Sequence, residues 1–130
     1  MIVRATLLAL LVIIAVAAVG LVACGDNDEK PDASGIEDAT TVEDETVPDG
    51  ASLIDQDDLK FIPNELTVST DEPIYFRNSE TALHTVTING RNVTGNMGRD
   101  DVMIWTPPGP GPYQLTCDFH PQMKATITAK

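Results

Sequence analysis

From residue 51 onward, apolar and polar residues alternate in short runs. Leu66-Thr-Val-Ser-Thr70, Ile74-Tyr-Phe-Arg77, Thr85-Val-Thr-Ile88, Val102-Met-Ile-Trp-Thr106, Tyr113-Gln-Leu-Thr116 and Lys124-Ala-Thr-Ile-Thr128 are dense in β-branched and aromatic residues. Such side chains suit a pleated, half-buried surface, so each run predicts a strand. Weaker strand signals stand at Ser52–Ile54 and Leu59–Ile62. The intervening segments Asp71-Glu-Pro73, Asn89-Gly90, Gly95-Asn-Met-Gly98 and Pro107-Pro-Gly-Pro-Gly-Pro112 are turn chemistry. No useful length carries a 3.6-residue apolar period. About seven or eight short strands with turns between them predict an all-β, antiparallel sandwich or barrel over residues 51–130. Trp105 fits its core, between the sheets.

The first 50 residues follow other patterns. Ala5 to Cys24 is uncharged and follows the single positive charge of Arg4, the form of an export signal. About 18 to 20 apolar residues also suffice to span a bilayer uncut. Leu21-Val-Ala-Cys24 ends the run and resembles a bacterial lipobox, in which Cys24 would become the lipidated N-terminus. Residues 1–24 are thus expected to be an export signal or membrane anchor that leaves the remainder in the cell envelope, facing the periplasm or exterior.

Charge separates the next segment. The chain carries a net charge of -12, and residues 25–50 hold ten acidic residues against Lys30 alone. With Ile36, Val42 and Val47 as its only sizeable apolar residues, this stretch is expected to be an extended, disordered acidic tether. The chain has no basic patch, so nucleic acid is not an expected partner.

With Cys24 assigned to the anchor, Cys117 is the single thiol of the folded part. Its neighbours give it chemistry. Cys117-Asp-Phe-His120-Pro-Gln-Met123 places a thiolate, an imidazole and a thioether within seven residues, between two predicted strands. The only other histidine, His84, opens the predicted strand ending at Ile88. Soft sulfur donors select copper, and two imidazoles, one thiolate and a weak axial thioether make a blue copper site. Glutamine also serves as an axial donor in such sites, which leaves Gln122 beside Met123 as a candidate. Met97 and Met103 suit gap-filling in the core.

Residues 59–130 resemble the single-domain cupredoxins of the plastocyanin and amicyanin group. Phe61-Ile-Pro-Asn-Glu-Leu-Thr-Val68 is similar to that family's opening strand, and Phe76-Arg-Asn78 with His84-Thr-Val86 to its first ligand region. The Cys-x2-His-x2-Met spacing and the pair His120-Pro121 resemble the amicyanin form. The resemblance implies a Greek-key β-sandwich holding one type 1 copper. His84, Cys117 and His120 would be its equatorial ligands and Met123 its axial ligand. Two departures stand out: Thr70-Asp-Glu-Pro73 lacks the family's turn glycine, and Phe119 replaces the proline that amicyanins place two residues after the ligand cysteine. Unlike proline, Phe119 has a backbone N–H, which is expected to point at the thiolate. With Pro121 it is also expected to rim the site.

These features predict a carrier cycling Cu(II)/Cu(I) between redox proteins such as a cytochrome, dehydrogenase or oxidase, with no enzymatic activity. Two histidines are too few for the extra cluster of a multicopper oxidase. A copper chaperone or storage protein of the envelope is the alternative.

Overall fold

The computed structural model describes residues 33–43 and 46–130. The expected export signal with Cys24, and the start of the expected tether, lie outside the described residues. Among the described residues, no helix is long and apolar enough to cross a membrane.

Among the described residues ten strands form two sheets: β1 Thr40–Thr41, β2 Ser52–Asp57, β3 Lys60–Ile62, β4 Glu65–Val68, β5 Ile74–Asn78, β6 Thr87–Ile88, β7 Arg91–Asn92, β8 Val102–Trp105, β9 Gly111–Thr116 and β10 Lys124–Ala129. One sheet has the order β1-β8-β5-β2-β3, the other β4-β10-β9-β6-β7. The fold is the all-β sandwich that the resemblance implies. Its sheets are mixed, because β2 pairs parallel to β5 and β10 parallel to β4. Strands that alternate in sequence alternate in burial. In β10, Ala125, Ile127 and Ala129 are buried while Lys124 and Thr128 are exposed, as a period of two requires. Ile54, Ile74, Phe76 and Trp105 of the first sheet meet Ile88, Tyr113, Leu115 and Ile127 of the second in one core. Trp105 and Tyr113 join the sheets edge to face, with ring centroids 5.3 Å apart.

Two expectations need correction, and one strand beyond residue 51 falls outside every predicted run. The predicted strand from Thr85 begins only at Thr87, because the Thr85 N–H is spent on a cysteine sulfur rather than on a ladder. The two-residue strand β7 follows the Asn89-Gly90 turn and pairs with β6; it has too few residues to show a pattern. The larger correction concerns the tether, since residues 33–43 lie on the sandwich. Thr40 and Thr41 pair with Ile104 and Met103, the Ala39 and Val42 N–H groups donate to the Val93 and Val102 carbonyls, and Ile36 is 3 % exposed. One buried isoleucine and a bare sheet edge secure a segment whose composition alone predicts extension.

Candidate metal centre

The loops at one end of the sandwich bring the four predicted ligand residues together. His84 stands before β6 and is held by a two-way backbone pairing with Met97, at 3.1 and 2.8 Å. Cys117 directly follows β9. His120 and Met123 lie in the turn leading to β10, closed by the Met123 N–H donating to the His120 carbonyl at 2.9 Å. His84 is fully buried, Cys117 and Met123 nearly so, and His120 is half-buried.

Cys117 Sγ lies 3.7 Å from Nδ1 of His84 and 3.7 Å from Nδ1 of His120. All three donor atoms fall within 4.8 Å of one another. With metal–sulfur and metal–nitrogen bonds of about 2.3 and 2.0 Å, a 3.7 Å separation subtends about 120° at a shared ion. Each sulfur–nitrogen pair therefore stands at a spacing that one metal ion can bridge. Two imidazole nitrogens, a thiolate and a buried thioether make a cluster consistent with a type 1 copper site.

The imidazole of His84 is fixed from behind. Its Nε2 lies 2.8 Å from Glu80 Oε1; an ionised carboxylate only accepts, so Nε2 bears the proton and Nδ1 keeps its lone pair for the metal. Glu80 Oε1 also accepts the Leu59 N–H at 2.9 Å. Buried Asn78, at the end of β5, staples the loop carrying Glu80. Its Nδ2 donates to the Ala82 and Met97 carbonyls, and its Oδ1 accepts the Glu80 N–H. The sequence offers Asn78 only as part of a resemblance, and it offers no signal for Glu80.

At the sulfur, Thr85 N–H donates at 3.4 Å, and Thr85 Oγ1 stands 3.9 Å away. Among the described residues the Phe119 N–H makes no bond to Sγ, contrary to the sequence expectation: the loop turns there so that Asp118, not Phe119, points its N–H inward, to Thr85 Oγ1 at 2.8 Å. Phe119 instead presents a ring that is 49 % exposed, with its centroid 6.5 Å from that of His120. Pro121 is exposed beside it. The other sulfurs have their own partners. Met97 Sδ accepts Gln56 Nε2–H at 3.2 Å and Met103 Sδ accepts Thr41 Oγ1–H at 3.4 Å. Gln122 is exposed and lines an outer groove with Ile62, Pro63 and Lys124.

The family described as cupredoxin-like domain matches residues 10–129. Among curated proteins none matches the chain. Among solved structures, a methionine-to-alanine variant of amicyanin with Cu(I) shares 22 % identity, covers 73 % of this chain and 96 % of its own, and superposes with a TM-score of 0.64. A reduced proline-to-phenylalanine variant of amicyanin shares 24 % identity over the same proportions, also at 0.64. Amicyanin from Paracoccus versutus (Thiobacillus versutus) shares 24 % identity over 72 % of this chain and 99 % of its own, with a TM-score of 0.59. At these identities the likeness is one of fold.

Proposed function

Since the chain belongs to the cupredoxin-like domain family, we propose that it is a blue copper electron carrier of the cell envelope and not an enzyme. His84, Cys117 and His120 would hold the copper together with Met123. The bound metal would supply a one-electron Cu(II)/Cu(I) couple.

The observation that carries this reading is the convergence of the Cys117 sulfur with one nitrogen of each of two imidazoles, both 3.7 Å from the sulfur, within the buried end of the sandwich. Glu80 and the Met97 backbone hold His84, and the turn from Cys117 to Met123 holds the others, so little rearrangement need accompany a change of valence. This rigidity supports a carrier over a chaperone, which must release its metal. His120 is the half-exposed ligand and serves as the electron's exit. The exposed side chains of Leu59, Leu83 and Phe119 give this end an apolar face on which a redox protein can dock. Carboxylates at Asp57 and Asp118 favour a partner whose rim is cationic, whereas Asp58 is already paired with Lys60. Anchoring through residues 1–24, with Cys24 lipidated, is proposed from the sequence.

The test is an optical and electron paramagnetic resonance spectrum of the Cu(II)-loaded protein. An intense visible thiolate-to-copper band, lost in Cys117→Ser, and a reversible one-electron couple are expected. A protein that binds Cu(II) without that band, or hands copper rapidly to a competing apo-protein, overturns the carrier reading.

A further inference from the structure

Asp118 lies between the cysteine ligand and Phe119, on the solvent side of the ligand loop. An exposed aspartate normally leaves its carboxylate to water, but this one is fully engaged with the neighbouring hairpin. Oδ1 accepts the Thr87 Oγ1–H at 2.5 Å and Oδ2 accepts an Asn92 Nδ2–H at 2.8 Å. The Asp118 N–H donates to Thr85 Oγ1 at 2.8 Å, and the same Thr85 places its N–H on the cysteine sulfur. Asn92 is itself oriented, because its Oδ1 accepts the Gly95 N–H at 2.8 Å. One residue thus ties the start of the ligand loop to β6, to β7 and to the residue following His84.

We propose that Asp118 is a positioning residue: a clasp that holds the Cys117 loop against the β6–β7 hairpin and sets the thiolate before any metal arrives. Three bonds from three directions leave the loop little freedom at the residue after the sulfur. Hydrogen bonds to a charged acceptor are the stronger kind. Because the clasp is built from protein groups alone, it acts in the metal-free chain. Its effect on copper rests on the reading of the site given above.

The test begins with metal-free protein and a soluble aromatic disulfide that reacts with free thiols. Cys117 is 3 % exposed, so its reaction reports opening of the loop. Asp118→Ala is expected to accelerate this reaction about tenfold, equivalent to about 1.4 kcal/mol of lost closure. Combining Asp118→Asn with Asn92→Asp reverses the donor and acceptor across that pair while leaving an oxygen for Thr87 and another for the Gly95 N–H. This exchange is expected to bring the rate back within about threefold of the parent. Ile127→Val, in the core strand β10, is the control for general destabilisation. If it accelerates the thiol as much as Asp118→Ala at matched thermal stability, or if the exchange rescues nothing, the clasp is overturned. In copper-loaded protein, Asp118→Ala should also release copper faster and shift the thiolate band, and the exchange should restore both. Absence of that band in the parent would refute the copper reading, while the thiol rates would still decide the clasp.

Discussion

Glu80 makes one contact with His84, and that contact decides which imidazole nitrogen is free. With Nε2–H given to the carboxylate, Nδ1 faces the sulfur without having to choose a tautomer, and the ring cannot turn. Outer groups of this kind typically change metal affinity about 10- to 100-fold. Glu80→Ala should therefore weaken Cu(II) binding by about tenfold or more in a competition titration, whereas Glu80→Gln, which keeps a carbonyl acceptor, should lose much less. A different expectation attaches to Phe119. A hydrogen bond from its N–H to the thiolate would be worth about 1 kcal/mol, or about 40 mV on a scale of 59 mV per tenfold. Since the sulfur takes its N–H from Thr85, Phe119 is expected to act through its ring, which stands beside that of His120 with centroids 6.5 Å apart. Phe119→Ala and Phe119→Pro should both lower the potential, and voltammetry should place them within about 20 mV of each other; a proline variant about 40 mV below the alanine one would restore the hydrogen-bond explanation. The residues of the candidate cluster were legible because cysteine, histidine and methionine at short spacing have few other uses. Glu80, Asn78 and Asp118 were not, because a carboxylate or amide becomes a support only once the loop brings it against a ligand.

At the scale of elements, the strands with alternating burial were the readable ones. β1 and β7 have two residues each, too few to express a period, and they exist because an adjacent edge offers unpaired carbonyls and N–H groups. Pairing order was also hidden: nothing in the sequence of β2 announces that it runs parallel to β5. That register sets Asp55 beside Arg77 and gives the sheet a pH-sensitive contact. Burial raises the Asp55 carboxyl, but hydrogen bonds from Arg77 and Ser79 and the guanidinium charge outweigh it, so the pKa lies below its ordinary value. A carboxyl depressed in the folded state binds its proton more readily when unfolded. Its contribution is therefore fully present above the unfolded carboxylate range, near pH 4, and is lost as the pH falls through the lower folded value. Chemical denaturation across pH 7 to 2 should show Asp55→Asn less stable than the parent at neutral pH. The gap should close towards pH 2; a difference that stays constant across the range would show that the pair does not couple folding to protonation.

At the scale of the whole molecule, the domain does not begin where its composition changes. Acidic residues persist to Asp49, yet Ile36 is buried in the same core as Trp105 and Tyr113, and the segment around it adds an edge strand to β8. This strap also braces the hairpin that Asp118 grips. Asp38 accepts from Arg91 at 2.8 Å and the Ala39 N–H donates to Val93 at 2.8 Å, on either side of Asn92. Cutting the chain at Ala51 would therefore remove support from the ligand loop as well as a side chain from the core. Replacing a buried isoleucine by alanine usually costs about 2–5 kcal/mol. Here the loss is capped by the docking energy of the strap, since a strap that gains too little simply detaches. For a domain of this size each kcal/mol moves the melting temperature by about 4–8 °C. Ile36→Ala should then melt about 8 °C or more below the parent, and a chain starting at Ala51 should melt as low as that variant or lower. A chain starting at Ala33 should match the parent. The truncation at Ala51 should also speed the reaction of the Cys117 thiol, because β7 loses its brace. Equal melting temperatures and equal thiol rates for chains starting at Ala33 and Ala51 would mean that the strap only decorates the sandwich, and that the functional domain starts where the acidic stretch ends.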